Sequence, residues 1–370
     1  MYEMIEAYVE RLLTGSTPEA PLWNIEKLRD GKKPSWHYVD GCMLTAFREL
    51  GDQSGDPRFG EFVRRFIDYY VAEDGQILGY DPEDFNLDDV NEGRVLFRLY
   101  AETGGEKYRR AIERIRGQLE RQPRTFEGSF WHKKIYPDQV WLDGLYMAQP
   151  FQLLWERDFG TGDYSDVKRQ ILTVRRRMYV PGKGLYRHGY DASRKAFWAN
   201  PRTGRSKNFW LRSLGWFAVA LADILELWPD EELLGIFREL MAKLLHFRDR
   251  ESGMYWQVPD KGGRAGNYLE TSGSSMIAYA MLKGARLGYL DKKYAAEGKK
   301  TFDGICKNYL RETEEGLCLG GICLMAGLGP EDKPWRDGSF AYYLSEPIVE
   351  NDAKGVAPFV LCYSEVRRLG

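Results

Sequence analysis

The chain has 370 residues with 53 Lys+Arg against 55 Asp+Glu, a net charge of -2 that argues against nucleic acid, a membrane surface or an acidic tail. That length allows two or three ordinary domains or one large closed one, with ample room for a core. Five cysteines, at 42, 306, 318, 323 and 362, are scattered without zinc-like spacing and read as reduced, buried thiols.

The first residues, Met1 to Glu6, are acidic and lack both the basic region and the apolar stretch of a signal peptide. No apolar run approaches the ~20 residues that cross a bilayer, so a cytoplasmic protein is expected. Aromatics make up 14% of the chain, with 11 Trp and 23 Tyr, which suits stacking on sugar rings and equally suits a large core.

Segments of helical period follow at roughly 1–14, 36–50, 57–73, 87–103, 105–122, 137–157, 163–179, 207–228, 231–248, 267–287, 290–311 and 352–368, with no convincing alternating strand. They alternate in character. Those near 57, 105, 163, 231 and 290 are amphipathic, as in Glu106-Lys107-Tyr108-Arg109-Arg110-Ala111-Ile112, and predict outer helices. Those near 36, 87, 137, 207, 267 and 352 are apolar on more sides and predict inner ones. Joints such as Ser54-Gly55-Asp56-Pro57 and Thr103-Gly104-Gly105-Glu106 recur where an inner helix ends and an outer one begins. One hairpin repeated about every fifty to seventy residues predicts an all-α fold: six hairpins closed into an (α/α)6 barrel, a single domain over 1–370. A linear solenoid is the alternative, but the apolar segment from Asp352 to Leu369 suits closure against the first helix.

In such a ring the inner helices turn their N-termini to one mouth, where free amides and the positive dipole end favour anionic ligands. Candidate residues crowd those starts. Asp143 lies in the stretch over 137–157, whose apolar residues surround the axis; a carboxyl group there must find partners or keep its proton, the state a general acid needs. A structural Asp bonded to nearby amides is the other reading. Asp88 and Asp89 stand in a first helical turn, where acids also serve as caps. His132 and His188 sit in loops before inner helices, and each can donate to a sugar hydroxyl or carboxylate. With His37 they place three of the four histidines at this mouth. Arg212 and Trp216 are four apart on one helix face and, with Trp210, offer a cation and two stacking surfaces. Glu270 reads as a helix-start acid, and Asp40 as either cap or site. No P-loop, dinucleotide fingerprint, Gly-x-Ser-x-Gly or His-Glu-x-x-His occurs, so no metal and no cofactor is expected.

Five motifs in register carry a resemblance. Trp36-His37-Tyr38 with Asp40-Gly41, Leu87-Asp88-Asp89-Val90-Asn91-Glu92-Gly93, Trp141-Leu142-Asp143-Gly144-Leu145-Tyr146-Met147, Gly184-Leu185-Tyr186-Arg187-His188 and Phe209-Trp210-Leu211-Arg212-Ser213-Leu214-Gly215-Trp216 resemble the unsaturated rhamnogalacturonyl hydrolases of glycoside hydrolase family 105. The likeness spans nearly the whole chain. It implies an (α/α)6 barrel and an intracellular enzyme whose partner is a small oligosaccharide left by pectin lyases, ending in a 4,5-unsaturated uronic acid. It further implies hydration of that double bond, with Asp143 as general acid/base giving a proton to C4 and assisting water at C5. By the same likeness Asp88 is the second acid, expected at ring hydroxyls and as a like charge beside Asp143. Tyr38, His132, His188, Trp210, Arg212 and Trp216 correspond to substrate-binding positions, the arginine and histidines for polar groups and the tryptophans for stacking. The basic loop from Asp191 to Lys207 is expected to act beyond the first sugar, on a second uronate.

Other readings share these residues. They are an unsaturated glucuronyl hydrolase of the same fold and chemistry, an inverting glycosidase with Asp88 and Asp143 flanking a water, a sugar epimerase using His132 and His188, and a non-catalytic carbohydrate-binding repeat protein. Nothing in the sequence speaks to oligomeric state.

Overall fold

The computed structural model describes residues 1–314 and 316–369. In chain order its helices are α1 (Tyr2–Gly15), α2 (Ile25–Asp30), α3 (Tyr38–Ser54), α4 (Pro57–Tyr70), α5 (Arg94–Thr103), α6 (Glu106–Arg121), α7 (Asp143–Asp158), α8 (Ser165–Met178), α9 (Leu211–Leu227), α10 (Glu231–Leu244), α11 (Thr271–Arg286), α12 (Lys293–Tyr309), α13 (Phe340–Ser345) and α14 (Ala353–Arg367). Six of them, α3, α5, α7, α9, α11 and α14, form an inner ring. Each touches the next, with the 3-10 turn Leu87–Gly93 extending α5, and α14 packs on α3 to close the circle. Behind them stand α4, α6, α8, α10 and α12, one behind each of the first five inner helices in chain order.

The sixth outer helix is α1. Tyr2 packs on Tyr363 of α14 with ring centroids 6.1 Å apart, and Glu6 meets the Tyr363 hydroxyl at 3.2 Å and Arg367 at 3.3 Å. The last hairpin is thus assembled from the two ends of the chain, and the (α/α)6 barrel is closed.

The two helix classes differ as their sequences require. On α6 the buried residues are Tyr108, Ala111, Ile112, Ile115, Gln118 and Leu119, a single stripe whose opposite face is Arg and Glu. On α9 every residue from Leu211 to Leu225 is buried, because neighbours flank it on both sides and an outer helix lies behind. Close approach is bought with small residues: a Cβ on Gly215 of α9 would lie 2.8 Å from Met276 and 3.2 Å from the Cα of Gly273 on α11. Pro150 inside α7 cannot bond the Tyr146 carbonyl, and the Nδ2 of Asn91 approaches that oxygen at 3.4 Å instead.

Connections at the two ends are unequal. Inner-to-outer joints are short, and Gly55 and Gly104 end α3 and α5 in the left-handed conformation, at φ 73° and 67°, as the recurring joint predicts. Outer-to-inner connections are long, and all lie at the N-terminal ends of the inner helices. They hold four two-stranded antiparallel pairs that helical periodicity does not reveal: Gln139–Trp141 with Gly189–Asp191, Tyr179–Val180 with Leu185–Tyr186, Leu310–Thr313 with Gly316–Leu319, and Ile322–Cys323 with Ile348–Val349. These pairs shift the expected helix starts. The segment predicted from 137 becomes a strand followed by α7 with Asp143 as its first residue, not an interior one. Likewise α9 begins at Leu211 rather than 207 and α11 at Thr271 rather than 267, so Trp210 precedes its helix. Among the described residues, no helix is long and apolar enough to cross a membrane.

Candidate active site

At the mouth, five of the six inner elements begin with a side chain directed to one cavity: Tyr38 on α3, Asp88 on the 3-10 turn, Asp143 on α7, Arg212 on α9 and Lys354 on α14. The sixth start is spent on capping. Glu270 accepts from the amides of Ser272 at 3.0 Å and Gly273 at 2.8 Å, as a helix-start acid should, and from that of Cys323 at 3.1 Å. Asp40 is structural too. It is buried against Lys27 at 2.7 Å and the Trp23 indole at 2.8 Å.

His132, Trp210 and Trp216 complete the cavity with the residues above, so seven of the eight candidates line it. The eighth, His188, stands directly behind Asp143, its Nε2 3.4 Å from Oδ2. Trp141 and Met147, the two ends of the Asp143 motif, also line the cavity without being candidates themselves, as do Met325, Ala326 and Lys354, which no motif marks. Trp141 lies on the strand paired with Gly189–Asp191, which also brings His188 alongside. Met325 and Ala326 come from the long connection before α14, which helical periodicity leaves blank.

Aromatic stacking holds the walls. His132 lies flat on Trp141 at 4.5 Å and 20°, and Trp141 meets His188 edge-on at 5.6 Å. Trp216 stacks on Tyr146 at 4.5 Å, and the Arg212 guanidinium lies 5.1 Å from the Trp210 ring centroid. Gly144, the second residue of α7, lets His132 come close: a Cβ there would sit 3.0 Å from its Nδ1.

Charge is arranged asymmetrically. Burial alone would raise the Asp88 pKa, but Lys133 at 2.6 Å, with His132 and His37, takes it down to about 2. Burial lowers His132 to about 4 against the pull of Asp88, so near neutrality it carries no charge. Lys133 is therefore the counter-ion that keeps Asp88 ionised. The next residue goes the other way: burial, and then the charge of Asp88, lift Asp89 to about 7. Arg212 donates Nη2 to the carbonyl of Cys323, while its Nε and Nη1 are buried without partners. Oδ2 of Asp143, Nε2 of His188 and Nδ1 of His132 are likewise buried without a hydrogen bond. Four of these atoms belong to residues that line the cavity, Arg212, Asp143 and His132, and the fifth to His188 behind Asp143, so polar groups are in reserve at its wall.

Asp89 gives a pH test. Its folded pKa lies above its ordinary value near 3.8, so its favourable contribution is complete below that value and is lost as pH rises through about 7. Asp88, depressed to about 2, works in the opposite sense, its contribution lost only as pH falls through that value. Asp89→Asn keeps the acceptor that Asn86 Nδ2 reaches at 2.8 Å. Chemical unfolding should find the variant gaining on the parent steadily from pH 4 to pH 8; a constant difference across that range would refute this assignment.

Arg187 and Arg205 line a second, separate hollow with Trp198 and Asn200, and Trp198 clusters with Trp141 of the cavity wall. Each is half-buried, Arg187 bonded to the Lys207 carbonyl and Arg205 to the Arg177 carbonyl at 2.5 Å, with no ion pair to a carboxylate among the described residues.

Comparison with known proteins agrees with this architecture. The family model Glycosyl Hydrolase Family 88 matches residues 21–370. A solved glycoside hydrolase from family 105 of C. acetobutylicum ATCC 824 is 40% identical, with a TM-score of 0.87, covering 95% of this chain and 100% of that one. The 24.9 kDa protein in picA locus of Rhizobium radiobacter is 39% identical over 227 residues, 59% of this chain and 97% of that protein. The unsaturated rhamnogalacturonyl hydrolase YesR of Bacillus subtilis (strain 168) is 27% identical over 276 residues, 71% of this chain and 75% of that one. The chain belongs to glycosyl hydrolase family 88, with a family 105 enzyme among its structural relatives, and is a glycoside hydrolase.

Proposed function

We propose that this enzyme removes a 4,5-unsaturated galacturonyl residue from the non-reducing end of rhamnogalacturonan-derived oligosaccharides by adding water across C4=C5. The observation that carries this reading is the presence, around one cavity, of an acid oxygen without a partner, Oδ2 of Asp143, and two unpartnered guanidinium donors, Nε and Nη1 of Arg212. An unsaturated uronate needs both, a cation for its carboxylate and an acid at its ring. Leaving a buried donor unpaired costs about 1–3 kcal/mol, a cost the ligand's carboxylate relieves. The name of the Bacillus subtilis relative supports the galacturonyl linkage.

The chemistry asks one carboxyl group to act twice. Asp143 gives its proton to C4, water adds at C5, and the Asp143 carboxylate takes the proton that the water sheds. The C5 hemiketal opens to a ketone, and C1, now a hemiacetal, expels the aglycon as an alcohol. One water is consumed and Asp143 is regenerated. Trp210 and Trp216 offer the sugar flat surfaces, and Asp88, charged and fixed by Lys133, accepts from ring hydroxyls. The unpaired cations Arg187 and Arg205 favour a longer acidic fragment, whose second carboxylate they would hold. Five free, buried cysteines support a reducing, cytoplasmic setting.

Ultraviolet absorbance of the conjugated enoate tests the reaction. Unsaturated rhamnogalacturonan disaccharide should lose that band, and in heavy water the uronic acid product should carry deuterium at C4. A band that persists while the aglycon is released would point to attack at the anomeric carbon. Faster loss with an unsaturated glucuronyl disaccharide would move the specificity to that uronide.

A further inference from the structure

Asp143 has a neighbour whose hydrogen can be assigned by accounting. His188 lies between two groups: its Nδ1 is 2.8 Å from the hydroxyl of Tyr343 on α13, and its Nε2 is 3.4 Å from Asp143 Oδ2. Neither Nε2 nor Oδ2 makes a hydrogen bond to any described residue, and their 3.4 Å approach is the nearest polar contact between His188 and Asp143. Among the described residues, the Tyr343 hydroxyl has one hydrogen-bond partner, His188 Nδ1. If the imidazole donated to it, the phenolic hydrogen would have no acceptor among the described residues, an unfavourable arrangement in a buried site. The hydroxyl therefore donates and Nδ1 accepts. Nε2 then carries the ring hydrogen, on the side of the imidazole that lies 3.4 Å from Asp143 Oδ2, close enough for a small shift to complete the bond.

Tyr343 is built to hold this direction. It is fully buried, and its carbonyl accepts from Gln257 Nε2 at 3.1 Å. Its amide bonds the Ser339 carbonyl at 3.2 Å, and its ring is stacked on Trp210 at 6.2 Å and 14°. Burial also pushes its hydroxyl well above the ordinary phenol range, so it stays a donor.

We propose that Tyr343 is a positioning residue that locks His188 as the Nε2–H tautomer, so that the imidazole donates to Asp143 whenever that group is a carboxylate. The role rests on the reading of Asp143 as the acid/base above. Once Asp143 has protonated C4, Nε2–H stabilises the charge left on Oδ2 and orients the carboxylate toward water. His188 keeps its hydrogen throughout, and Tyr343 transfers none. Without the phenol, the ring is free to put its Nε2 lone pair against the carboxylate, a repulsive arrangement.

The chain has four histidines, at 37, 132, 188 and 246, so nitrogen NMR on ¹⁵N-histidine-labelled protein at pH 8.5 can read each tautomer, with His188→Gln supplying the assignment. The parent should show His188 as Nε2–H. In Tyr343→Phe that signal should become a mixture while His37 and His132 stay unchanged, and kcat should fall about 10–100-fold with KM within about twofold. An Nδ1–H signal in the parent overturns the proposal without any variant. So does a Tyr343→Phe protein that keeps both tautomer and kcat. Either result leaves the assigned reaction intact, because that reading fails separately, through an enoate band that survives incubation.

Discussion

Asp143→Asn should lower turnover by about 10²–10⁴-fold, the range a positioned acid/base contributes, while leaving the barrel folded. Asn matches the carboxyl group in size but can neither protonate C4 nor take a proton from water. Asp143 is the first residue of α7, a position where Asn is as well tolerated as Asp, so the thermal midpoint should stay close to that of the parent. Arg212, Trp210 and Trp216 are untouched, so substrate should still bind. The measurements are enoate loss, a thermal midpoint and equilibrium binding on one preparation. Retention of more than a tenth of the parent rate would transfer the role to another acid. Asp88→Asn provides the contrast. It removes the counter-ion of Lys133 at 2.6 Å and the neighbour of His132 at 3.5 Å, so stability and KM should suffer together.

Why Asp143 could be singled out from sequence, and Tyr343 could not, is a matter of range. Helical period and Gly-terminated joints are local signals, and they suffice for the inner and outer rings and for the mouth where inner helices start. Asp88, Asp143 and Arg212 sit at those starts, so their convergence follows from the ring itself. Pairing between distant segments leaves no such mark. Gln139–Trp141 finds Gly189–Asp191 some fifty residues on, and that contact, rather than helix propensity, sets the start of α7 and draws His188 behind it. Tyr343 reaches His188 across 155 residues, from a six-residue helix too short to show a period. Lys133 is hidden in the sequence for a different reason. A lysine in a polar loop looks solvated until the fold places it 2.6 Å from a buried carboxylate.

The largest expected effect on the fold lies at the opposite end of the barrel. Asp223→Ala should cost about 3–5 kcal/mol, the penalty for leaving buried charge without its partner. Asp223, buried on α9, accepts from Lys283 at 2.7 Å and Tyr279 at 3.0 Å on α11, and from Arg94 at 2.8 Å on α5, tying three inner helices together across the axis. Burial alone would raise its pKa, yet Lys283 and Arg94 hold it down to about 2. Lys283 keeps a second acid, Glu226, at 2.7 Å, whereas Arg94 has no other carboxylate partner among the described residues, and its Nε and Nη1 are already unpartnered. Most of the cost should therefore fall on Arg94. A depressed carboxyl pKa contributes stability above its ordinary value near 3.8 and loses it as pH falls through about 2. The gap between parent and variant in urea should be widest near neutrality and close below pH 4. Eleven helical residues, roughly 16 Å, separate position 223 from Arg212, so kcat and KM should be unchanged below the melting range. Equal stability of parent and variant would mean that the attraction within the cluster does no more than offset its desolvation, and that apolar packing alone holds the closed end together.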